Sequence, residues 1–165
     1  MALAGIMRVL SPGGQRARLS ILIFHRVLPE QDHLFPGEPH ASRFDQVLSW
    51  IGRWFQVIPL DEAVTRLATG TLPPRAAAIS FDDGYADNAT VALPILQRHG
   101  MTATFFVATA FLDGGRMWND SVIESIRACH GNLLDLRDAG LGRYELDSIE
   151  KRRDAIDTLL GKIKY

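Results

Sequence analysis

The chain has 165 residues, 47% hydrophobic and 22% charged, with a formal net charge of −1. That suffices for one globular domain with a sizeable core, and the near-zero balance gives no electrostatic basis for binding nucleic acid or an anionic membrane. No run approaches the roughly 20 apolar residues of a membrane span, and the single cysteine, Cys129, cannot close an internal disulfide.

Met1 to Leu10 is mildly apolar, lacks a positively charged start and is broken by Gly5 and Arg8, then by Pro12-Gly13-Gly14. The pattern predicts a short helix and loop over residues 1–18 rather than a signal peptide, with the cytoplasm or its membrane face as the default compartment. Leu19 to Phe24 reads as a buried strand, and His25 follows at its carboxyl end. His33 and His40 lie in a proline-containing loop without the His-x-x-x-His spacing of a helical zinc site. Ser42 to Phe55 is predicted helical, because Phe44, Val47, Leu48, Ile51 and Phe55 share one face. Ser42 and Asp45 have capping-box spacing. A short strand over Gln56–Leu60 precedes a helix that Asp61 would cap and Gly70 would stop.

Ala76-Ala77-Ala78-Ile79-Ser80-Phe81-Asp82-Asp83-Gly84-Tyr85 organises the rest. A continuous apolar run predicts a strand covered on both faces, as in a parallel α/β sheet. Such sheets place chemistry at the carboxyl ends of their strands, where Asp82 and Asp83 stand. Gly84 can supply the break that lets two neighbouring carboxylates converge. Like charges in one place repel unless a cation lies between them, and a divalent metal is the common solution. The alternative reading makes Asp82 a helix cap and Asp83 a solvated surface group.

Asp87 to His99 is predicted as a helix, kinked or broken in its first half by Pro94 and closed by His99-Gly100. Thr102 to Thr109 is the next strand. The strand–helix alternation predicts an α/β fold with parallel strands and flanking helices. Asp113-Gly114-Gly115 is a turn, and Ser121 to Cys129 a helix. Trp118 before it is either core or the stacking floor of a sugar site, and Cys129 reads as a small buried apolar residue. Leu133 to Leu136 is a short edge strand, His130 lies in a turn, and Asp147 or Ser148 caps a final helix ending at Ile163. Residues 131–165 read as a helical excursion from the strand–helix pattern.

The stretch Ile79 to Asn88, with Ala103 to Ala108 and the Ile21-Leu22-Ile23-Phe24-His25-Arg26-Val27 opening, resembles the polysaccharide deacetylases, carbohydrate esterase family 4 or NodB homology domain. The resemblance covers about residues 20 to 120. It implies a partial distorted (β/α) barrel, with residues 19–165 as the N-terminal part of a catalytic domain. It also implies metal-dependent deacetylation of an acetylated polysaccharide, with Asp82 as catalytic base and Asp83 as ligand to a divalent metal, zinc in this reading. His25, Tyr85 and Trp118 are candidates for the site rim. The family's second motif, His-Ser/Thr-x-x-His-Pro, does not occur in the chain, so the ligand set is expected to be incomplete and the chain is read as a fragment, inactive by itself. Two other readings stay open: a non-catalytic remnant that binds glycan or a partner, and an acid-dependent phosphatase with Asp82 as nucleophile. Phosphatases space their acids as Asp-x-Asp, whereas this pair is adjacent.

Overall fold

A computed structural model describes residues 10–164, so nearly all of the helix expected over Met1–Leu10 lies outside the described residues. The chain divides into two compact units. The first runs to Ala108 without His33–Pro36; the second comprises His33–Pro36 and Thr109–Tyr165.

The first unit is built around β3 (Ala76–Phe81), in which all six residues are buried. This is why its sequence shows no alternation. β1 (Ser20–Phe24) pairs with it in parallel along its length, with Phe24 opposite Phe81. β2 (Gln56–Val57) and β4 (Thr104–Phe105) are also parallel to β3 and pair only with its first and last residues. The carbonyls of Arg75 and Ala77 accept from Gln56 and Ile58, that of Phe81 accepts from Phe106, and the Asp82 N–H donates to Phe24. Odd-numbered residues of β3 therefore address one edge and even-numbered residues the other, so β2 and β4 share the edge opposite β1. The sharing explains why both strands are shorter than the 56–60 and 102–109 expected. All four are mutually parallel, and His25 and Asp82 leave the sheet at the same end.

One face of this sheet carries Phe24, Phe81 and Phe105, stacked at centroid separations of 5.4 and 5.1 Å, with Phe44 edge-on to Phe24 at 5.2 Å. Phe44 comes from α1 (Ala41–Trp54), which buries Phe44, Leu48 and Ile51 at helical spacing. Each such buried side chain contributes roughly 1.5–3 kcal/mol. The expected Ser42–Asp45 capping box is not formed: His40 occupies the cap position, and Ser42 Oγ lies 3.2 Å from His40 Nδ1. α2 (Leu60–Ala68) begins after Pro59, which places Asp61 inside the first turn rather than at the cap; a carboxylate there still complements the helix dipole.

After Gly84 the helix is divided in its first half, as Pro94 predicts. A π-helical turn over Asn88–Ala92 leads into α3 (Leu93–Arg98), with Pro94 in its first turn. Pro94 has no N–H to return to the preceding turn, so the backbone widens there before regular α-geometry resumes.

In the second unit, α4 (Trp118–Ala128) and α5 (Ile149–Ile163) pack with an antiparallel hairpin of β5 (Leu133–Leu136) and β6 (Gly142–Glu145). Its core holds Ile126, Leu146, Ile156 and Leu159. Ser148 caps α5 by accepting the Lys151 N–H, as its position predicts. The edge strand expected at Leu133–Leu136 is present as β5, but β6 was not expected, because Gly-Arg-Tyr-Glu lacks an apolar face; the excursion after residue 131 is thus a hairpin followed by a helix. Cys129 is half-buried rather than buried. No helix among the described residues is long and apolar enough to cross a membrane.

Candidate functional site

The site begins where the β1–β3 ladder ends. Asp82 extends the ladder by one hydrogen bond, its N–H donating to the Phe24 carbonyl at 2.9 Å. The register ends at Phe24 opposite Phe81, so His25 and Asp82 are the first residues beyond the paired strands, side by side at the same end of the sheet. The chain then breaks. Asp83 has φ +70° and Gly84 φ +72°. The break expected from Gly84 alone starts one residue earlier, at a residue that carries a side chain. Aspartate is among the few residues that tolerate left-handed backbone, and such a conformation costs on the order of 1–3 kcal/mol unless its surroundings enforce it.

Those surroundings come from the chain after β4. The Asp83 carbonyl accepts a long hydrogen bond from Ala108 N–H at 3.4 Å. Gly84 packs so closely on Val107 that a Cβ there would lie 2.8 Å from Val107 Cγ1. Gly84 is therefore required twice, by its dihedral and by its neighbour.

His25 Nε2 lies 4.0 Å from Asp83 Oδ2, too far for a hydrogen bond, and both side chains are accessible at 59% and 36%. Arg26, the next residue, donates from Nε and Nη2 to Asp87 Oδ2 at 3.1 and 2.9 Å, while Asp87 Oδ1 accepts the Val27 N–H at 3.2 Å. The Arg26 guanidinium also lies over the Tyr85 ring, 4.7 Å from its centroid. The helical run opens at Ala86 and passes through Asp87 into the π-turn, so Asp82, four residues before it, is not its cap.

The structure thus brings Asp82, Asp83, His25 and Tyr85 together at the exits of β1 and β3. Trp118 opens α4 in the second unit and is 47% exposed, so it is not a core residue. Neither Arg26 nor Asp87 stood out in the sequence. The available signal was a pair of opposite charges just beyond two strands expected to be parallel neighbours.

A catalytic zinc site takes three protein ligands and a water. Among the described residues no three His, Cys, Asp or Glu side chains gather in a group that could hold a metal. Asp83 with His25 nearby is at most part of such a site, and the donors present do not fit a complete one. Two other histidines are occupied elsewhere. His99 Nε2 lies 3.0 Å from Asp45 Oδ1, and His40 sits at the start of α1.

Residues 69–130 match the family model described as polysaccharide deacetylase. Over 93 residues the chain is 31% identical to YxkH of Bacillus subtilis (strain 168), a protein whose name assigns it provisionally to the polysaccharide deacetylases; the match covers 55% of this chain and 32% of that protein. A solved de-N-acetylase from Aggregatibacter actinomycetemcomitans is similar at 27% identity and a TM-score of 0.50, over 59% of this chain and 40% of that one. The Streptococcus pyogenes deacetylase PplD, solved in complex with acetate, shares the fold at 19% identity and a TM-score of 0.51, over 88% of this chain and 69% of that one. The chain therefore spans about a third of the curated relative it matches. The α/β architecture of parallel strands with flanking helices is that of solved deacetylases.

Proposed function

From the likeness of residues 69–130 to the polysaccharide deacetylases, we propose that this chain carries the catalytic-base half of a hydrolase that removes acetyl groups from an N-acetylated polysaccharide. The observation that carries the reading is the corner at the end of β3, where Asp82 and Asp83 are adjacent and His25, just after β1, lies 4.0 Å from Asp83. Asp82 takes the proton of a water that attacks the acetamide carbonyl. The C–N bond then breaks, acetate leaves, and the sugar amine takes up a proton. Asp83 is assigned as one ligand of a divalent metal, zinc by resemblance. With no complete donor group among the described residues, no step is assigned to the metal here. His25 and Tyr85 border the site.

A second reading is favoured by that same incomplete donor set: a chain that keeps the fold and binds acetylated glycan or a partner without turning it over. One experiment separates the two. Acetate release from N-acetylated chito-oligosaccharides is measured with and without added zinc, alongside bound metal by elemental analysis and glycan binding by calorimetry. Acetate release matched by new free amine supports the hydrolase. Saturable glycan binding with no acetate supports the second reading, and neither activity sinks both.

A further inference from the structure

The β1–β3 ladder stops at the Asp82–Phe24 hydrogen bond, one residue short of both His25 and Asp83. Beyond it, the next tie between the two strand exits is the Asp87 carboxylate, which uses both oxygens on the β1 exit: Oδ2 on Arg26 Nε and Nη2, Oδ1 on the Val27 N–H. Val27 is fully buried in the core, and the Asp87 side chain is only 12% exposed. Tyr85 closes the arrangement beneath the Arg26 guanidinium. His25 is therefore fixed on both sides, by the ladder through Phe24 and by the carboxylate through Arg26. Asp83 is held by the ladder through Asp82 and by its carbonyl's hydrogen bond from Ala108 N–H, and four residues on Asp87 ties its chain to the β1 exit.

We propose that Arg26, Asp87 and Tyr85 form a positioning clamp that sets the separation of His25 from Asp83, making Arg26 and Asp87 positioning residues for the reaction at Asp82. The inference rests on the hydrolase reading for its kinetic consequence and on the hydrogen bonds alone for its geometry. An apolar contact would join two loops as stably as a partly buried ion pair, which offsets much of its attraction by desolvation. What the ion pair adds is direction: three donors converging on one carboxylate fix orientation as well as distance. Small displacements of a reacting group are costly, so loss of such partners typically lowers activity about 10- to 100-fold.

The test compares wild type, Asp87→Asn, Arg26→Ala and Arg26→Lys in the full chain. Readouts are folding by circular dichroism, amide exchange at Val27, the His25 ring resonances and steady-state acetate release. Asp87→Asn and Arg26→Ala should fold, exchange Val27 faster and shift the His25 resonances. In both, kcat should fall about 10- to 100-fold with KM near wild type. Added guanidinium should restore part of the Arg26→Ala activity, and Arg26→Lys should restore less than Arg26 itself gives. If Asp87→Asn does not fold, the guanidinium rescue of Arg26→Ala decides. Folded variants with faster Val27 exchange but unaltered His25 resonances and kcat would reduce the clamp to a structural latch and overturn the proposal. If wild type releases no acetate, the hydrolase reading fails by itself. The clamp then stands or falls on whether the His25 resonances move with Asp87→Asn.

Discussion

The two units differ in how far their polar pairs reach. In the first, every strand pair joins segments distant in sequence, and so do the ion pairs of Arg26 with Asp87 and of Asp45 with Arg98 and His99, beside the local Glu62–Arg66 pair. In the second, the hairpin closes over Leu136 and Gly142, and its ion pairs are local: Asp135 with Arg137, Glu124 with Arg127, Asp147 with Lys151. Long-range closure is entropically expensive and slow, but it alone brings carboxylates and a histidine from separate strands to one sheet end. The second unit is joined over a long sequence distance by Arg153, which donates to the carbonyls of His33 and Leu34, and these bonds serve its core rather than a cluster of acids.

The largest effect that would break this division concerns activity. Asp82→Asn should lower acetate release roughly 100- to 10,000-fold, the usual contribution of a general base. Trp118→Ala, in the second unit, should leave kcat unchanged and alter KM alone if it touches the glycan. Equal losses of kcat in both variants would show that the reacting site draws on both units.

Core truncations sharpen the same comparison. Phe81 is fully buried and its ring contacts those of Phe24, Phe44 and Phe105. Phe81→Ala should destabilise the first unit by about 3–5 kcal/mol, and Ile156→Ala the second by about 2–5 kcal/mol. Residue-resolved hydrogen exchange under mild denaturant should place each loss in its own unit. Loss of protection throughout the chain from either substitution would mean the units unfold as one.

Two glycines give a controlled pair of smaller effects. Gly84 and Gly140 have the same φ, +72°, but a Cβ at Gly84 meets Val107 whereas one at Gly140 meets nothing within 4 Å. Gly140→Ala should cost only the dihedral, roughly 1–2 kcal/mol. Gly84→Ala adds the clash, so it should exceed Gly140→Ala in denaturant midpoint shift and also disturb Asp83. Equal shifts would mean that Val107 moves aside at no cost.

How much of this was legible in sequence follows the same division. The parallel strands, their shared carboxyl end and the corner at Asp82-Asp83-Gly84 were readable, because an unalternating apolar run and a strand–helix rhythm leave few arrangements. Strand lengths were not, because β2 and β4 divide one edge of β3, which no single segment encodes. The α1 cap went to His40 because pattern alone does not say which polar residue takes the extended cap dihedral. β6 was missed because its packing, not its composition, makes it a strand. Arg26 and Asp87 were overlooked for a related reason: they are 61 residues apart, and only the register brings them together.

The smallest effect tests the charge side of the comparison by pH. In the first unit the Asp45 carboxyl is held below the usual carboxylate range by hydrogen bonds from His99 and then Arg98, partners 54 and 53 residues away. In the second, Asp135 is lowered by Arg137, two residues away. A group whose folded pKa is depressed adds stability that is present above its unfolded value, about 3.9 for Asp, and lost as pH falls through its folded value. The Asp135–Arg137 contact needs no folding to bring its partners near, so it persists in part in the unfolded chain and contributes less linkage. The Asp45 contacts exist only when α1 and α3 are assembled. As pH falls from about 5 through the folded value of each group, Asp45 should therefore account for more lost stability than Asp135. Asp45→Asn should flatten that acid limb in urea titrations, and Asp135→Asn should leave it nearly unchanged. Both exposed pairs are weak individually, so the informative quantity is the difference in slope between the two variants. If that difference vanishes, distance in sequence does not govern which ion pairs stabilise this chain.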